Sequence, residues 1–303
     1  MTKFLDSFNR VEISRSALLH NLDLLAEKSG LKQIPVIKSN AYGHGIEQVV
    51  KILKERDIPY VAVNDLTEVM RVQAISDQPV LIMGAIETDN LKTINCDKVA
   101  ILIQDKQTLT NLSKLGKSIK VHLDIDTGMK RYGIDFEELD EYLNLIKSLP
   151  GIELEGLASH LVDGDAADTS VTDKQVKLFD QAVAKVLEKG FNPKFIHIAN
   201  APGFAKVNSK YANAMRPGIG FYGVNPLSEE DPMHDVMSGV QPALRLVSKI
   251  TKVRKLKSGD SVSYNHTFTA EKDMTVGVIP VGYYEGLPRS LSNSGHLKYG
   301  DDF

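Results

Sequence analysis

The stretch 34-IPVIKSNAYGHGIEQVVKILKERDIPYVAV-63 contains one full repeat of an architecture. An apolar run from Ile34 to Ile37 halts at Lys38, and small and polar residues with two glycines follow. GIEQVVKILKER then sets apolar residues at helical spacing, and YVAV is a second run rich in β-branched residues. The order is strand, loop, helix, strand. The lysine is the peculiarity, because an ammonium stands where the apolar run stops.

Reading outward, PVLIMG, VAILIQ, IKVHLDID, LEGLASH, FIHIAN and AMRPGIGFYG continue the strands. DLTEVMRVQAIS, DKQTLTNLSKL, FEELDEYLNLIKSL and TDKQVKLFDQAVAKVLEKG supply amphipathic helices between them, with polar starts and several glycine stops. Eight such repeats within about two hundred residues predict a parallel (β/α)8 barrel of the TIM type. An open doubly wound sheet is the competing arrangement, but its Gly-rich GxGxxG turn is absent. Arg10 to Ser14 reads as an extra strand ahead of the barrel, and a helix is expected from Ala17 to about Lys28.

After Gly223 the pattern changes. The segment 224-VNPLSEEDPMHD-235, with Pro226, Pro232 and several acidic residues, suits an exposed linker. From Gln241 the helical period vanishes, and PALRLVSKITKVRKL, DSVSYNHTFTA and MTVGVIPVGYY read as strands. We therefore expect a barrel domain at 1–235 that binds a cofactor, and a β-rich domain at 236–303 whose last stretch, SNSGHLKYGDDF, completes no visible unit.

Composition narrows the partners. The 303 residues are 42% hydrophobic and 25% charged, with a formal net charge of −3. That balance suits a soluble globular protein and gives no electrostatic reason to expect nucleic acid or an anionic membrane as partner. Cys96 is the single cysteine, so an intrachain disulfide and a cysteine-based metal cluster are both excluded, and no metal is expected. MTKFLDSFNRVEIS carries charges throughout and lacks a secretory signal's apolar core, and no later segment approaches a membrane span. A cytoplasmic protein with a small-molecule partner is expected.

Barrels of this kind place reactive groups where strands end, at the C-terminal face. The first strand offers Lys38 and Tyr42 there, the fifth leads into Arg131, the sixth ends in His160 and the seventh in Asn200. The eighth carries Arg216 beside Gly218 and Ile219. Each has a plainer reading: Lys38 as a solvated boundary residue, His160 as a strand cap, Arg131 as a salt-bridged surface group, Tyr264 as a half-buried strand tyrosine. Their joint placement at one mouth favours chemistry. A partly desolvated lysine flanked by cations is a nucleophile able to form a Schiff base, for which pyridoxal phosphate is the obvious partner. Its phosphate needs backbone N–H donors and close approach, which 199-ANAPG-203 and 217-PGIG-220 offer.

VIKSNAYGHG, DIDTGMKRYGID, HIANAP, MRPGIGFYG and DSVSYNHTF together resemble the alanine racemase family, from about Arg10 to about Ser292. The resemblance implies that Lys38 holds pyridoxal phosphate as an aldimine, that Tyr42, Asn200, Gly218 and Ile219 grip its phosphate, and that His160 lies beside the ring. It also implies that Arg216 faces the pyridine nitrogen and keeps it neutral, which favours racemisation over transamination. Arg131 would reach the cofactor's phenolic oxygen or the substrate carboxylate, and Tyr283 would stand at the substrate entrance. Inversion needs acid/base groups on opposite faces, and the resemblance implies Lys38 and Tyr264, the latter from a second subunit of a homodimer with composite sites. The implied activity interconverts L- and D-alanine, supplying D-alanine for peptidoglycan.

Three departures from the family are visible. Ala201 stands where a serine is common after Asn200. Asp124 stands where a carbamylated lysine is common, and we expect its carboxylate to hold Arg131. Relatives also continue well past Phe303, so a fragment or an incomplete second domain is expected. Two other functions remain open: a non-catalytic pyridoxal phosphate carrier, and a serine or broad-specificity amino-acid racemase. A decarboxylase of the same plan would place an acidic residue where Arg216 stands.

Overall fold

The structure, a computed structural model, describes residues 7–300; residues 1–6 of the charged N-terminal stretch and the chain end at Phe303 lie outside it. Two compact units are distinct. One is Ser14–Ala243, and the other joins the strand β1 (Arg10–Ile13) to the segment from Leu244 onward.

In the first unit, helix α1 (Arg15–Ser29) starts on a Ser14 cap and ends at Gly30 in the left-handed region, φ 65°. Strands β3 (Val61–Val63), β4 (Val80–Ile82), β5 (Val99–Ile103), β6 (Ile119–Asp124), β7 (Ile152–Ala158) and β8 (Phe195–His197) then form one continuous parallel ladder. Val and Ile dominate because helices cover the outside and side chains fill the inside, so β5 is buried at every residue.

Two short strands, β2 (Lys32–Gln33) and β9 (Ala214–Met215), close the ring. They pair in parallel with each other, Ile34 N–H donates to Met215 O at 2.9 Å, and Val36 N–H donates to Pro217 O at 2.9 Å. On one side Ala62 N–H donates to Pro35 O at 2.8 Å; on the other Arg216 N–H donates to Ala199 O at 2.9 Å. The expected eight-stranded parallel barrel is therefore present. The expected first and last strands, 34–38 and 214–223, are regular over less than their length, because Pro35 and Pro217 have no N–H to give. Pairing there shrinks to β2, β9 and single bridges at Val36 and between Asn200 and Arg216.

The outer layer follows the apolar spacing. Helix α3 (Ile46–Leu53) buries Ile46, Val49, Val50 and Leu53, one stripe of a 3.6-residue period. Asp65 caps α4 (Leu66–Gln73) and Asp105 caps α5 (Lys106–Ser113), each worth about 1 kcal/mol against alanine. Helices α6 (Leu139–Ser148) and α7 (Ser170–Glu188) follow β6 and β7. The repeat after β4 departs from the pattern, since two 3-10 turns, Thr88–Thr93 and Cys96–Lys98, replace a helix. Thr93 and Asn95 bond the local backbone there, which competes with helical pairing. Ile34, Val36, Tyr60, Ala62, Leu81, Ala100, Phe195 and Ala214 pack into one core cluster.

The second unit is β-rich, as expected. Strand β1 pairs antiparallel with β10 (Leu244–Val247), β11 (Lys252–Leu256) with β14 (Met274–Val278), and β12 (Ser261–Val262) with β13 (Phe268–Thr269).

Candidate active site

Lys38 opens a single turn, α2 (Lys38–Tyr42), that is left-handed: Ser39, Asn40, Ala41 and Tyr42 have φ of 54°, 55°, 55° and 53°. Each such non-glycine residue costs about 1–2 kcal/mol. Fixed partners hold the turn. Asn40 Oδ1 accepts from Ile46 N–H at 3.2 Å and from Arg71 Nη2 at 2.7 Å. Glu68 accepts from Asn40 N–H and Asn64 N–H at 3.4 and 2.8 Å, and Ala41 is fully buried. The strained turn brings Lys38 and Tyr42 to the rim of a cavity of about 490 Å³ at the C-terminal ends of the strands.

Arg131, His160, Asn200, Arg216, Gly218 and Ile219 line the same cavity. Arg216 is 6% exposed and is tied down on several sides. Its Nη1 donates to His197 O at 2.8 Å and bonds His197 Nδ1, and its Nη2 donates to Ser159 O at 2.6 Å. Burial brings its pKa down to about 10, against the opposing pull of Asp124, so it stays cationic at neutral pH. Burial, then the charges of Arg216, Arg131 and Lys38, holds the His160 imidazole down to about 3 and therefore neutral.

At the rim, Gly218 leaves room for the Tyr42 hydroxyl. A Cβ there would lie 2.9 Å from the Tyr42 hydroxyl oxygen. Among the described residues nothing accepts from the Gly218 and Ile219 N–H groups, at the start of the 3-10 turn Ile219–Tyr222. Two backbone donors without an acceptor among the described residues and the Tyr42 phenol thus line the same rim, and such donors suit an anion. Asn200 turns its Oδ1 back to Gly203 N–H at 2.9 Å, fixing the loop after β8.

Residues 13–226 match the family described as alanine racemase, N-terminal domain, and residues 243–302 match alanine racemase, C-terminal domain. The chain belongs to the alanine racemase family. It is 34% identical over 301 residues to an alanine racemase of Borreliella burgdorferi, covering 96% of this chain and 79% of that protein. It is 31% identical to alanine racemase 2 of Caldanaerobacter subterraneus, covering 94% and 74%. Among solved structures it is similar to the alanine racemase of Bacillus anthracis with bound L-Ala-P, at TM-score 0.81 and 29% identity over 93% of this chain and 75% of that one. It is also similar to the alanine racemase of Clostridium difficile 630, at TM-score 0.84, 27% identity, and 94% and 76% coverage.

Asp124 lines the cavity, 9% exposed, and burial followed by the nearby Asp126 pushes its carboxyl up to about 6 against the pull of Arg216 and Arg131. The expected clasp on Arg131 is not made: among the described residues no hydrogen bond or ion pair joins the two, and they interact only through charge. An aspartate arm is short. Ala201 is 1% exposed and packs with Leu25, Phe204 and Met237 in a core cluster, so a serine hydroxyl has no counterpart there.

Tyr264 and Tyr283 belong to the second unit, where they line a shared open hollow. Tyr264 is 80% exposed and Tyr283 65%. Ser263, Asn265 and His266 around Tyr264 have φ of 62°, 61° and 50°, so the tyrosine is presented by strained backbone.

Several polar residues that shape the cavity escaped the reading of strand ends. Asp126 Oδ1 accepts from Gly128 and Lys130 N–H, which folds the loop bearing Arg131. Gln175, buried on α7, donates to Thr127 Oγ1 and His160 O and accepts from Val162 N–H, joining the loops after β6 and β7. His197, His122 and Glu155 lie beneath Arg216 inside the barrel. Their only signal in sequence is a polar residue inside an otherwise apolar strand.

Proposed function

We propose that the protein is a pyridoxal phosphate-dependent racemase that interconverts L- and D-alanine, works as a cytoplasmic homodimer, and supplies D-alanine for peptidoglycan. The observation that carries this reading is one cavity lined by Lys38, a buried cationic Arg216, and Gly218 and Ile219, whose backbone N–H groups are unpaired among the described residues. The residues fit the cofactor: the Gly218 and Ile219 N–H groups and the Tyr42 hydroxyl would hold its phosphate, and Arg216 would meet its ring nitrogen. Burial pushes the Tyr42 phenol's pKa up, so it stays a donor.

When bound, pyridoxal phosphate supplies an aldehyde that condenses with an amine and a ring that draws electrons from the substrate's Cα. Lys38 would hold it, and its amine would move a proton at the substrate's Cα from one face. Tyr264 from a second copy serves the opposite face, since inversion needs two groups on two sides. Arg216 offers N–H bonds yet retains its proton, so it would leave a ring nitrogen facing it neutral. Neutral His160 adds no competing proton donor at the floor. Arg131 meets the substrate carboxylate with a planar fork.

The experiment is to follow both enantiomers of alanine and of serine with the purified protein and added cofactor. Alanine should be turned over in both directions and faster than serine. Binding of the cofactor without turnover of either amino acid would leave a non-catalytic carrier, and faster turnover of serine would refute the alanine assignment.

A further inference from the structure

A continuous series of buried side chains runs from the cavity floor down the barrel interior. Arg216 bonds His197 Nδ1; His197 Nε2 lies 2.8 Å from His122 Nδ1; and His122 Nε2 lies 3.3 Å from Glu155 Oε2. Glu155 also accepts from Tyr60 Oη at 2.5 Å and Lys120 Nζ at 2.8 Å. Both histidines are 0% exposed, Glu155 4% and Arg216 6%. Nothing in the cavity chemistry uses His122 or Glu155.

The two ends dictate the protons between them. A guanidinium has only donors, so the His197 Nδ1 that faces it is a lone pair and the ring proton sits on Nε2. That proton points at His122 Nδ1, which must accept, and the His122 proton then sits on Nε2 and points at the Glu155 carboxylate. Every nitrogen is satisfied by two neutral imidazoles of the same tautomer. Reversing either ring sets N–H against N–H, and a buried unsatisfied pair of that kind costs about 1–3 kcal/mol. Burial also lowers the pKa of both imidazoles, with Glu155 opposing at His122.

The backbone is built around this contact. The β6–β7 ladder runs Val121 with Leu154, then His122 with Gly156, so Glu155 is the extra residue of a bulge. Bulges re-aim a side chain. At the next position a Cβ on Gly156 would lie 2.6 Å from His122 Nδ1, so only glycine lets the ring lie there. Phe195 stacks on the His122 ring at 5.8 Å and Tyr60 meets it edge-on at 5.8 Å.

We infer that Glu155 is a positioning residue: as the terminal acceptor it orders the tautomers of His122 and His197, and through them holds the Arg216 guanidinium at the cavity floor. Its consequence for turnover rests on the racemase reading above; the proton order itself does not. Without an acceptor at residue 155, the His122 Nε2–H is left buried and unsatisfied, and reversing both rings to relieve it turns the His197 Nδ1–H against Arg216, so no single proton order satisfies every group.

The test is nitrogen-15 NMR of the histidine rings in the purified full chain, with His122 and His197 assigned by substitution of each. Both should be neutral with the proton on Nε2, and neither should titrate between pH 6 and 8. A proton on Nδ1 of either ring, or a cationic ring, overturns the proposal. Glu155→Leu should lose the single tautomer at His197 and lower kcat for alanine by about 10- to 100-fold, the usual effect of a supporting hydrogen bond. KM should change less. Glu155→Gln, whose amide oxygen still accepts from His122, should recover much of both. A Glu155→Leu protein with wild-type ring shifts and wild-type kcat overturns the proposal. A protein with the expected proton order that racemises nothing refutes the functional reading and supports the ordering role of Glu155.

Discussion

Asp124→Asn isolates the electrostatic cost of the cavity floor. Burial and Asp126 push the Asp124 carboxyl from its ordinary value of 3.8 up to about 6. The unfolded chain ionises first, so the native state loses stability as pH rises from about 4 to about 6, and the loss is complete above. At about 1.4 kcal/mol per pH unit, the ionised carboxylate costs the folded protein about 3 kcal/mol at pH 8 and well under 1 kcal/mol at pH 4. Asparagine has nearly the shape of the protonated acid and does not titrate. The substituted cofactor-free protein should therefore match wild type near pH 4 and exceed it by about 3 kcal/mol at pH 8. Urea unfolding at pH 4, 5, 6 and 8 measures the difference directly. A gap that does not grow between pH 4 and 7, or a variant less stable than wild type at pH 8, would refute the reasoning.

Other outcomes follow from the same geometry. Lys38→Ala should abolish the visible absorbance of bound cofactor that borohydride traps in wild type; a trappable chromophore in the variant would mean another lysine serves. Refolding Lys38→Ala together with Tyr264→Phe should restore activity through mixed dimers with one intact site, and failure to do so when mixed dimers are shown to form would rule out a shared site. Since position 124 has no lysine to carbamylate, activity should be indifferent to added bicarbonate, and a clear rise would mean that a lysine elsewhere is carbamylated. Gly218→Ala should weaken cofactor affinity by about tenfold, as its Cβ displaces the Tyr42 hydroxyl; equilibrium titration of cofactor-free protein reads this, and unchanged affinity would remove the Gly218 rim from the account.

The barrel was legible because its strands are uninterrupted apolar runs and its helices carry one clean stripe, as in β5 and α3. Proline limited the reading at the seam, where Pro35 and Pro217 shorten the ladders of β2 and β9 in ways that hydropathy does not register. No amphipathic stretch is read between PVLIMG and VAILIQ, and the structure has no α-helix there, although a count of eight repeats implied one; local bonds made by Thr93 and Asn95 take its place. The cavity-lining residues could be anticipated because strand ends converge in a barrel, which brings Lys38, Arg131, His160, Asn200 and Arg216 to one mouth. What lies beneath them could not. The inward aim of Glu155 depends on a one-residue register jump between β6 and β7, and a bulge leaves no mark in composition or period. The contact expected between Asp124 and Arg131 failed for a related reason, because spacing says which residues are near and not whether a short side chain spans the gap.

Racemisation in deuterium oxide tests the central claim most directly. L-alanine incubated with the cofactor-loaded protein should yield D-alanine carrying deuterium at Cα, because the proton delivered to the second face comes from a different, solvent-equilibrated group than the one that accepted the first. Lys38→Ala should yield none. Absence of D-alanine, or D-alanine that keeps its original Cα hydrogen, would contradict the account.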